Sequence, residues 1–290
     1  MQVATNDGGR ATPSQQAALL KLLTDDDRAV YETIRAKILS YGDDARSWLQ
    51  PHAISSDPVL RRRAVGILTL LARRESDQSF SAFCREAVGV VDIEAGSFLL
   101  ARTQFPEANI AAYQALLDSY ALEIRERLRP DEPAESVIAT INDYLFAEQG
   151  YFGNETNYYD PDNSYLNRVM DRKTGNPISL CQVYLAVGRR LKLPLTGVGM
   201  PGHFVCRYQS IAGEFYIDAF NKGKVLRRAE CVNYLMMRPD GFKESFLAPV
   251  GGRRILQRIC ANLLQIYQKM KLEEESARVC RYILLLGGQP

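Results

Sequence analysis

Histidine and tryptophan are scarce in this chain of 290 residues, which has two histidines and one tryptophan. Any mechanism that needs an imidazole must therefore use His52 or His203, and a metal centre with three histidine ligands is excluded. His52 follows a proline in a polar stretch between predicted helices, which indicates a surface position. His203 is the histidine left for chemistry.

Long apolar runs and a strong net charge are also missing. The longest apolar run lies near residues 64–72 and is interrupted by a glycine and a threonine, whereas a bilayer span needs roughly 18–20 apolar residues. Residues 1–14 are polar and lack the apolar core of a signal peptide. We therefore expect a cytoplasmic protein with no membrane partner. The net charge of +2 gives no basis for a nucleic-acid partner.

The six cysteines do not form a C-x-x-C pair, which makes a zinc site unlikely on spacing alone. In the cytoplasm these thiols stay reduced, and the ordinary role of each is that of a small buried apolar residue. We expect no metal. The six are Cys84, Cys181, Cys206, Cys231, Cys260 and Cys280.

Two further motifs match ligand-binding patterns only in part. Gly197–Gly202 reads G-x-G-x-x-G, but Pro201 lies inside it and a predicted strand follows, whereas a dinucleotide site needs a helix there. Asp160 to Asp171 has carboxylates at calcium-like spacing but lacks the glycine and glutamate of a calcium loop. We expect a turn between strands at the first and turn and helix capping at the second, and no cofactor.

Hydropathy patterning predicts an α+β protein with a helical first half. Residues 1–13 are predicted to form a disordered tail, and 14–90 a helical, repeat-like region in which Asp25-Asp26-Asp27 and Ser56-Asp57-Pro58 mark helix starts. Further helices are predicted at 59–73, 78–88, 92–104, 107–128 and 134–149.

The character of the sequence changes at Gly150, where residues 151–175 have the composition of a loop. A helix is predicted at 177–192, with Asn176 as its cap, followed by short strands at 195–198, 203–208 and 214–217. We expect this helix to pack on a small antiparallel sheet, in a core domain covering 91–248 with its helical lead-in. A linker is predicted at 248–252, and 253–290 is predicted to form a tetratricopeptide-like helical hairpin.

His203 lies in a pattern that is typical of thiol chemistry. It opens a predicted strand, Asp218 closes the next one, and a helix that carries Cys181 precedes both. In a thiol acyl-transfer site a helix N-terminus and an imidazolium lower the pKa of the cysteine. The imidazole then moves the proton, and a carboxylate fixes its tautomer.

Several motifs between about residues 90 and 286 resemble the SirB-type transglutaminase-like proteins. The resemblance implies a transglutaminase-like fold, related in plan to the papain-type thiol enzymes. The motifs are Leu99-Leu100-Ala101-Arg102, Phe105-Pro106, Tyr158 to Asn167, Gly175 to Leu180, Leu191-Lys192-Leu193-Pro194, Pro201-Gly202-His203-Phe204 and Ile217-Asp218-Ala219-Phe220.

Transferring the active-site pattern of this family to the chain leaves the nucleophile missing. The family places an aspartate about fifteen residues after the histidine, as His203 and Asp218 are placed here. It places the cysteine about seventeen residues before a Leu-Pro turn, and counting back from Pro194 gives Pro177. The resemblance therefore implies that a proline occupies the nucleophile position.

Cys181 is the alternative nucleophile, because it lies four residues after Pro177 and therefore on nearly the same helix face. Its apolar neighbours favour a place in the core instead. Cys206 lies at an odd offset from His203 along a predicted strand, so we expect it on the opposite face. Ser179 is predicted to support the helix start.

Two functions follow from this pattern. The first is a non-catalytic transglutaminase-like protein that binds a protein or peptide as a regulatory module. The alternative is a cysteine acyl-transfer enzyme, an amidase, peptidase or transglutaminase, that uses Cys181, His203 and Asp218. The sequence leaves the choice between enzyme and binding protein open, and likewise the oligomeric state.

Overall fold

The computed structural model describes residues 10–211 and 213–288, which divide into two compact units. Residues 10–78 with 103–106 form the first unit, and the other described residues form the second. Of the predicted tail 1–13, residues 1–9 lie outside the described residues, and the first helix begins at Pro13.

The first unit is helical, as the sequence predicts. Its helices start where polar side chains cap them: Thr12 forms a capping box, and Asp27 and Asp57 accept hydrogen bonds from first-turn amides. A core that includes Leu23 and Ile67 holds the helices together. The helices are α1 (Pro13–Leu23), α2 (Arg28–Ser40), α3 (Asp43–Leu49) and α4 (Pro58–Glu86).

Two details of this region differ from the predictions. The separate helices predicted at 59–73 and 78–88 are one helix, α4, because no glycine or proline interrupts the chain between them. Residues of α4 beyond Gln78 belong to the second unit. His52 lies in a short 3₁₀ turn (Gln50–Ile54) and is partly buried.

The second unit begins with a layer of helices at nearly the predicted positions. These are α5 (Ile93–Arg102), α6 (Ile110–Arg127) and α7 (Ala134–Asn142), and α7 continues into a π-helical turn at Asp143–Glu148. Asn109 caps α6 by accepting a hydrogen bond from the amide of Ala112. The lead-in to the core is therefore helical, as expected.

The segment 151–175 is not the loop that its composition predicts. It contains a 3₁₀ turn (Pro161–Asn163), a helix α8 (Leu166–Arg172), and strands β1 (Phe152–Gly153) and β2 (Thr174–Gly175), which pair in parallel. The turn residues at 160–161 mark only the start of the 3₁₀ turn. After them, Leu166, Val169 and Met170 are spaced at helical intervals and are buried on one face of α8.

A five-stranded antiparallel sheet forms the centre of the second unit. Its strands are β3 (Leu195–Val198), β4 (Val205–Ser210), β5 (Gly213–Asp218), β6 (Lys224–Leu226) and β7 (Pro249–Val250), in the order β6-β5-β4-β3-β7. The three predicted strands are confirmed, and Gly197–Gly202 leads from β3 into the turn before β4, not into a helix.

The linker predicted at 248–252 is wrong in one respect, because Pro249 and Val250 form a strand. They pair with Val198 and Gly197 of β3 and so complete one edge of the sheet. A proline and two glycines in five residues suggested a break in structure. The register with β3 is a long-range contact that the local sequence does not encode.

Helices pack on both faces of the sheet. Helix α9 (Pro177–Arg190) covers one face, where the thiol of Cys206 lies against the backbone of Cys181. Helix α10 (Arg228–Met236), which the sequence reading missed, covers the other, where Val205 and Tyr216 pack with Cys231. The alternation of neighbouring residues between faces is the period of two expected of a strand.

The chain ends in a helical hairpin formed by α11 (Gly252–Lys269) and α12 (Glu273–Leu285). A hydrogen bond of 2.6 Å between the hydroxyls of Tyr165 and Tyr267 ties α11 to the segment before α8. The hairpin is confirmed, and its likeness to a tetratricopeptide unit stays a prediction. Among the described residues, no helix is long and apolar enough to cross a membrane.

Candidate functional site

A cleft of about 670 Å³ brings together three of the residues that the sequence singles out. Pro177, the first residue of α9, His203, in the turn before β4, and Asp218, the last residue of β5, all line it. The sheet and the turn before β4 therefore position the aspartate and the histidine, and the start of α9 positions the proline, so that all three lie on the wall of the cleft.

The imidazole of His203 and the carboxylate of Asp218 form a hydrogen-bonded dyad. His203 Nε2 lies 2.7 Å from Asp218 Oδ2, and the two side chains are 13% and 7% exposed. Asn221 donates twice to the same carboxylate, from its backbone N–H (3.2 Å) and from its side-chain amide (2.8 Å). Asp218 thereby fixes the orientation of the imidazole ring.

The electrostatics of Asp218 follow from these contacts. Burial acts to raise its pKa, but the hydrogen bonds and charge of His203, together with the donors of Asn221, outweigh burial and hold the pKa below the ordinary 3.8. Asp218 is therefore a carboxylate at neutral pH, which suits it to holding a histidine.

The lowered pKa predicts that Asp218 stabilises the fold in a pH-dependent way. Because the folded pKa lies below the unfolded one, the stabilisation is present above pH 3.8 and is lost as the pH falls through the folded value. We expect Asp218→Asn to lower the free energy of unfolding by about 1.5–3 kcal/mol at pH 7, and by less at pH 3. Urea unfolding followed by tyrosine circular dichroism measures this, and a constant difference would contradict it.

The start of α9 is built by a reciprocal cap. Asn176 Oδ1 accepts from the backbone N–H of Ser179 (3.0 Å), and the Ser179 hydroxyl oxygen accepts from the N–H of Asn176 (3.0 Å). Asn176 also donates to the hydroxyl of Ser164. Ser179 is fully buried, so it has the supporting role predicted for it. Pro177 occupies the first helical position, which suits proline.

Cys181 is sealed in the core between α9 and the sheet. It is fully buried, its thiol donates to the backbone oxygen of Phe204 at 3.5 Å, and the thiol of Cys206 donates to the Cys181 carbonyl at 3.7 Å. Burial, followed by the neighbouring Cys206, raises the pKa of the Cys181 thiol well above its ordinary value. Neither cysteine is among the described residues that line the cleft.

A different thiol, that of Cys231 on α10, lines the cleft. Burial raises its pKa to about 11, and the nearby carboxylates of Glu230 and Asp218 add to the shift. A thiol with this pKa is protonated at neutral pH and is a poor nucleophile. This thiol was not predicted to reach the cleft, because the sequence pattern did not predict the helix that carries it.

Aromatic rings form the walls of the cleft around His203. The ring of Tyr234 lies 5.9 Å and that of Phe220 lies 6.3 Å from the imidazole, centroid to centroid. Tyr158 packs edge-on against Phe220 at 6.2 Å. An apolar, aromatic wall beside a few polar groups is typical of a binding pocket.

Asn163 holds the segment that carries Tyr158. It is fully buried, and its side-chain amide donates to the carbonyl oxygens of Asn157 (2.8 Å) and Tyr158 (3.2 Å). Its side-chain oxygen accepts from Asn154 (2.9 Å), and its backbone oxygen accepts from Asn176 (3.3 Å). Through its side chain and its backbone oxygen, Asn163 therefore couples the Tyr158 wall to the cap of α9.

Arg258 of α11 fixes the turn that carries His203. It donates to the carbonyl oxygens of Met200 (2.5 Å) and His203 (2.7 Å), and burial lowers its pKa. Nothing in the local sequence signals this role. Asn221 has a signal that could have been used, because an asparagine three residues after Asp218 fits a turn that closes on the aspartate.

The carboxylates at calcium-like spacing are occupied by arginines. Asp160 pairs with Arg172 at 2.8 Å, and Asp162 pairs with Arg168 at 3.0 Å. Asp160 also caps the 3₁₀ turn through the amide of Asp162. These contacts fit the turn and capping role expected for them. Within the described ranges, no group of three His, Cys, Asp or Glu side chains is placed to hold a metal ion.

The fold and the cleft define a class of protein, and comparison with known proteins identifies it. The profile of the transglutaminase-like superfamily matches residues 111–261, which include α9, all five strands of the sheet, and the dyad. The chain belongs to this superfamily.

Relatives among known proteins are consistent with the SirB-type resemblance. A UPF0162 protein of Xylella fastidiosa is 37% identical over 203 residues, which cover 67% of this chain and 72% of the relative. The protein SirB1 of Salmonella typhimurium is 31% identical over 100 residues, 34% of this chain and 36% of its own. F-box only protein 21 of Mus musculus is 34% identical over 151 residues, 49% of this chain and 24% of its own. No solved structure gives a significant match.

Proposed function

We propose that this protein is a transglutaminase-like binding module of the cytoplasm that performs no thiol catalysis and takes a protein or peptide into its cleft. One observation carries the proposal: Pro177 lines the cleft with His203 and Asp218, where the family pattern requires a cysteine. Proline has no side-chain nucleophile and no backbone N–H to stabilise an oxyanion.

The chemistry of the cleft supports peptide binding. A volume of about 670 Å³ lies within the range of pockets that enclose small ligands or short peptide segments. Tyr234 and Arg238 line it together, and tyrosine and arginine are enriched among residues that carry binding energy.

The mouse relative supports the idea of a module. The matched segment covers only 24% of that F-box protein, so a related domain is used there as one part of a longer chain. A domain that is combined with other segments in this way suits a binding or regulatory role.

Selection of peptides from a displayed random library tests the binding half of the proposal. Peptides that bind the full chain are expected to lose at least tenfold in affinity on Tyr234→Ala, because a buried aromatic contact contributes more than about 1.4 kcal/mol. Tyr159→Ala is the matched control, since Tyr159 is 54% exposed and is not among the described cleft residues. Equal losses in both variants, or no selected peptide, would contradict the proposal.

The alternative is a cysteine acyl-transfer enzyme that uses Cys181, His203 and Asp218. The intact dyad, with its 2.7 Å hydrogen bond, favours it. This function requires the sulfur of Cys181 to become a thiolate near His203. Fully buried and hydrogen-bonded to a backbone carbonyl, the thiol lacks the exposure that this chemistry needs.

Alkylation of the native chain with iodoacetamide separates the two functions. We expect Cys181 to remain unmodified between pH 6 and 9 and to react fully in urea, because burial both shields its thiol and raises its pKa. Cys280, which is partly exposed, serves as the reference thiol, and peptide mapping assigns each site. Reaction of Cys181 with an inflection below pH 7, or a turnover abolished by Cys181→Ala, would establish the enzyme instead.

A further inference from the structure

A second cavity of about 430 Å³ lies along α9 in the second unit. It shares no lining residue with the cleft among the described residues. Its walls come from α9, β3 and β7, the start of α11 and the chain around α5. They are largely aliphatic, with Leu166, Leu185, Leu195, Val250 and Ile255 among them.

One face of α9 lines this cavity. Gln182, Leu185, Ala186 and Arg189 all line it, at offsets of three, four and seven residues that place them on one side of a helix. Pro177, the first residue of α9, lines the cleft instead. One helix thus contributes to two separate binding surfaces.

Gln182 gives this cavity a specific polar feature. The residue is 4% exposed, and its Nε2 atom has no hydrogen-bond partner among the described residues. A buried amide donor left without an acceptor is costly, and native proteins rarely keep one without reason. A ligand that carries an acceptor oxygen into the cavity would satisfy this donor.

The charged groups at the cavity already have partners. Arg189 and Arg190 hold the carboxylate of Glu94 at 2.7 Å and 2.6 Å, and Glu94 is 3% exposed. Since two guanidinium groups engage this carboxylate, the lining gives no reason to select a charged ligand. Lys192 also lines the cavity, but it is exposed to solvent.

We propose that this cavity binds a small, neutral, mainly apolar molecule that carries a carbonyl group, with the Nε2–H of Gln182 donating to the carbonyl oxygen. The aliphatic walls take the hydrocarbon part, and the single buried donor sets its orientation. A cavity of about 430 Å³ falls in the size range of small-molecule sites. The proposal is independent of the function proposed for the cleft.

Titration of the full chain with 2-heptanone, followed by ligand-observed NMR, tests this site. We expect saturable binding that is weakened about 3- to 10-fold by Gln182→Leu, which keeps the volume and removes the hydrogen bond. Gln265→Leu, the same change at an exposed position of α11, is the matched control and leaves the affinity unchanged.

Ala186→Leu adds volume inside the cavity and is expected to abolish binding, with circular dichroism used to verify the fold. If Ala186→Leu does not fold, the Gln182→Leu and Gln265→Leu comparison decides alone. Non-saturable binding to the wild-type chain, or equal affinities for the wild type and Gln182→Leu, would overturn the proposal. Raised stability of Gln182→Leu without any ketone binding would mean that the free amide is a structural defect, and would also overturn it.

Discussion

Replacing Pro177 by cysteine is expected to create a thiol that iodoacetamide alkylates about 10-fold faster at pH 6 than the reference thiol of Cys280. The introduced thiol would stand at the N-terminus of α9 in the same cleft as His203. A helix N-terminus and an imidazolium each lower the pKa of a cysteine. A fall of the thiol pKa from about 8.5 to about 6 raises the thiolate fraction at pH 6 by roughly 100-fold, and the lower intrinsic nucleophilicity of the less basic thiolate reduces this gain by about 10-fold.

Peptide mapping distinguishes the new site from Cys231, which lines the same cleft but has a raised pKa. Pro177→Ser is the matched control for loss of the proline ring. The combination of Pro177→Cys with His203→Ala is expected to bring the rate down towards that of Cys280, because the imidazole ring is then missing. An inflection near pH 8.5 in Pro177→Cys would mean that the cleft does not have the geometry of a thiol site.

The second large effect is expected at Asn163, where Asn163→Asp should lower the stability of the second unit by about 3–5 kcal/mol at pH 7. The change replaces the amide NH2 group, which donates twice, by a carboxylate oxygen that faces the carbonyls of Asn157 and Tyr158. Both carbonyls lose their side-chain donor, although Asn157 keeps the backbone N–H of Asp160, and the new charge is fully buried.

Hydrogen exchange of the amides of β4 and β5 measures this loss in the second unit, whereas fluorescence of Trp48 reports on the first. Stability is expected to recover in part at pH 5, because burial raises the pKa of a carboxyl and protonation removes its charge. Asn109→Asp is the matched control, since Asn109 is an exposed helix cap and aspartate caps equally well. Equal effects at 163 and 109 would contradict the central place of Asn163.

Features that depend on near neighbours in the chain or on adjacent strands were predictable from the sequence, whereas features that depend on distant segments were not. The dyad was predictable because His203 lies two residues before the start of β4 and Asp218 ends β5, and antiparallel pairing of β4 with β5 brings these two positions together. Helix starts at Asp27 and Asn176 were predictable because capping is a contact between near neighbours in the chain.

The features that were missed depend on contacts between distant segments. Strand β7 pairs with residues about fifty positions earlier, and Arg258 bonds to a carbonyl 55 residues away. The position of Cys181 was predictable in part. Its apolar neighbours pointed to the core, but only the packing of α9 on the sheet shows that its thiol contacts the Phe204 carbonyl. Which thiol reaches the cleft was therefore beyond local patterns.

The short strands at the two edges of the sheet bear on how the chain behaves at high concentration. An open edge offers free backbone groups to which a second copy could add, and that addition leads to aggregation. Here β7 is two residues long and contains Pro249, which has no N–H to offer, while β6 is three residues long and begins with Lys224. Proline and lysine on short edge strands are features that discourage such growth. The same segment that looked like a linker thus helps to keep the sheet from propagating between molecules.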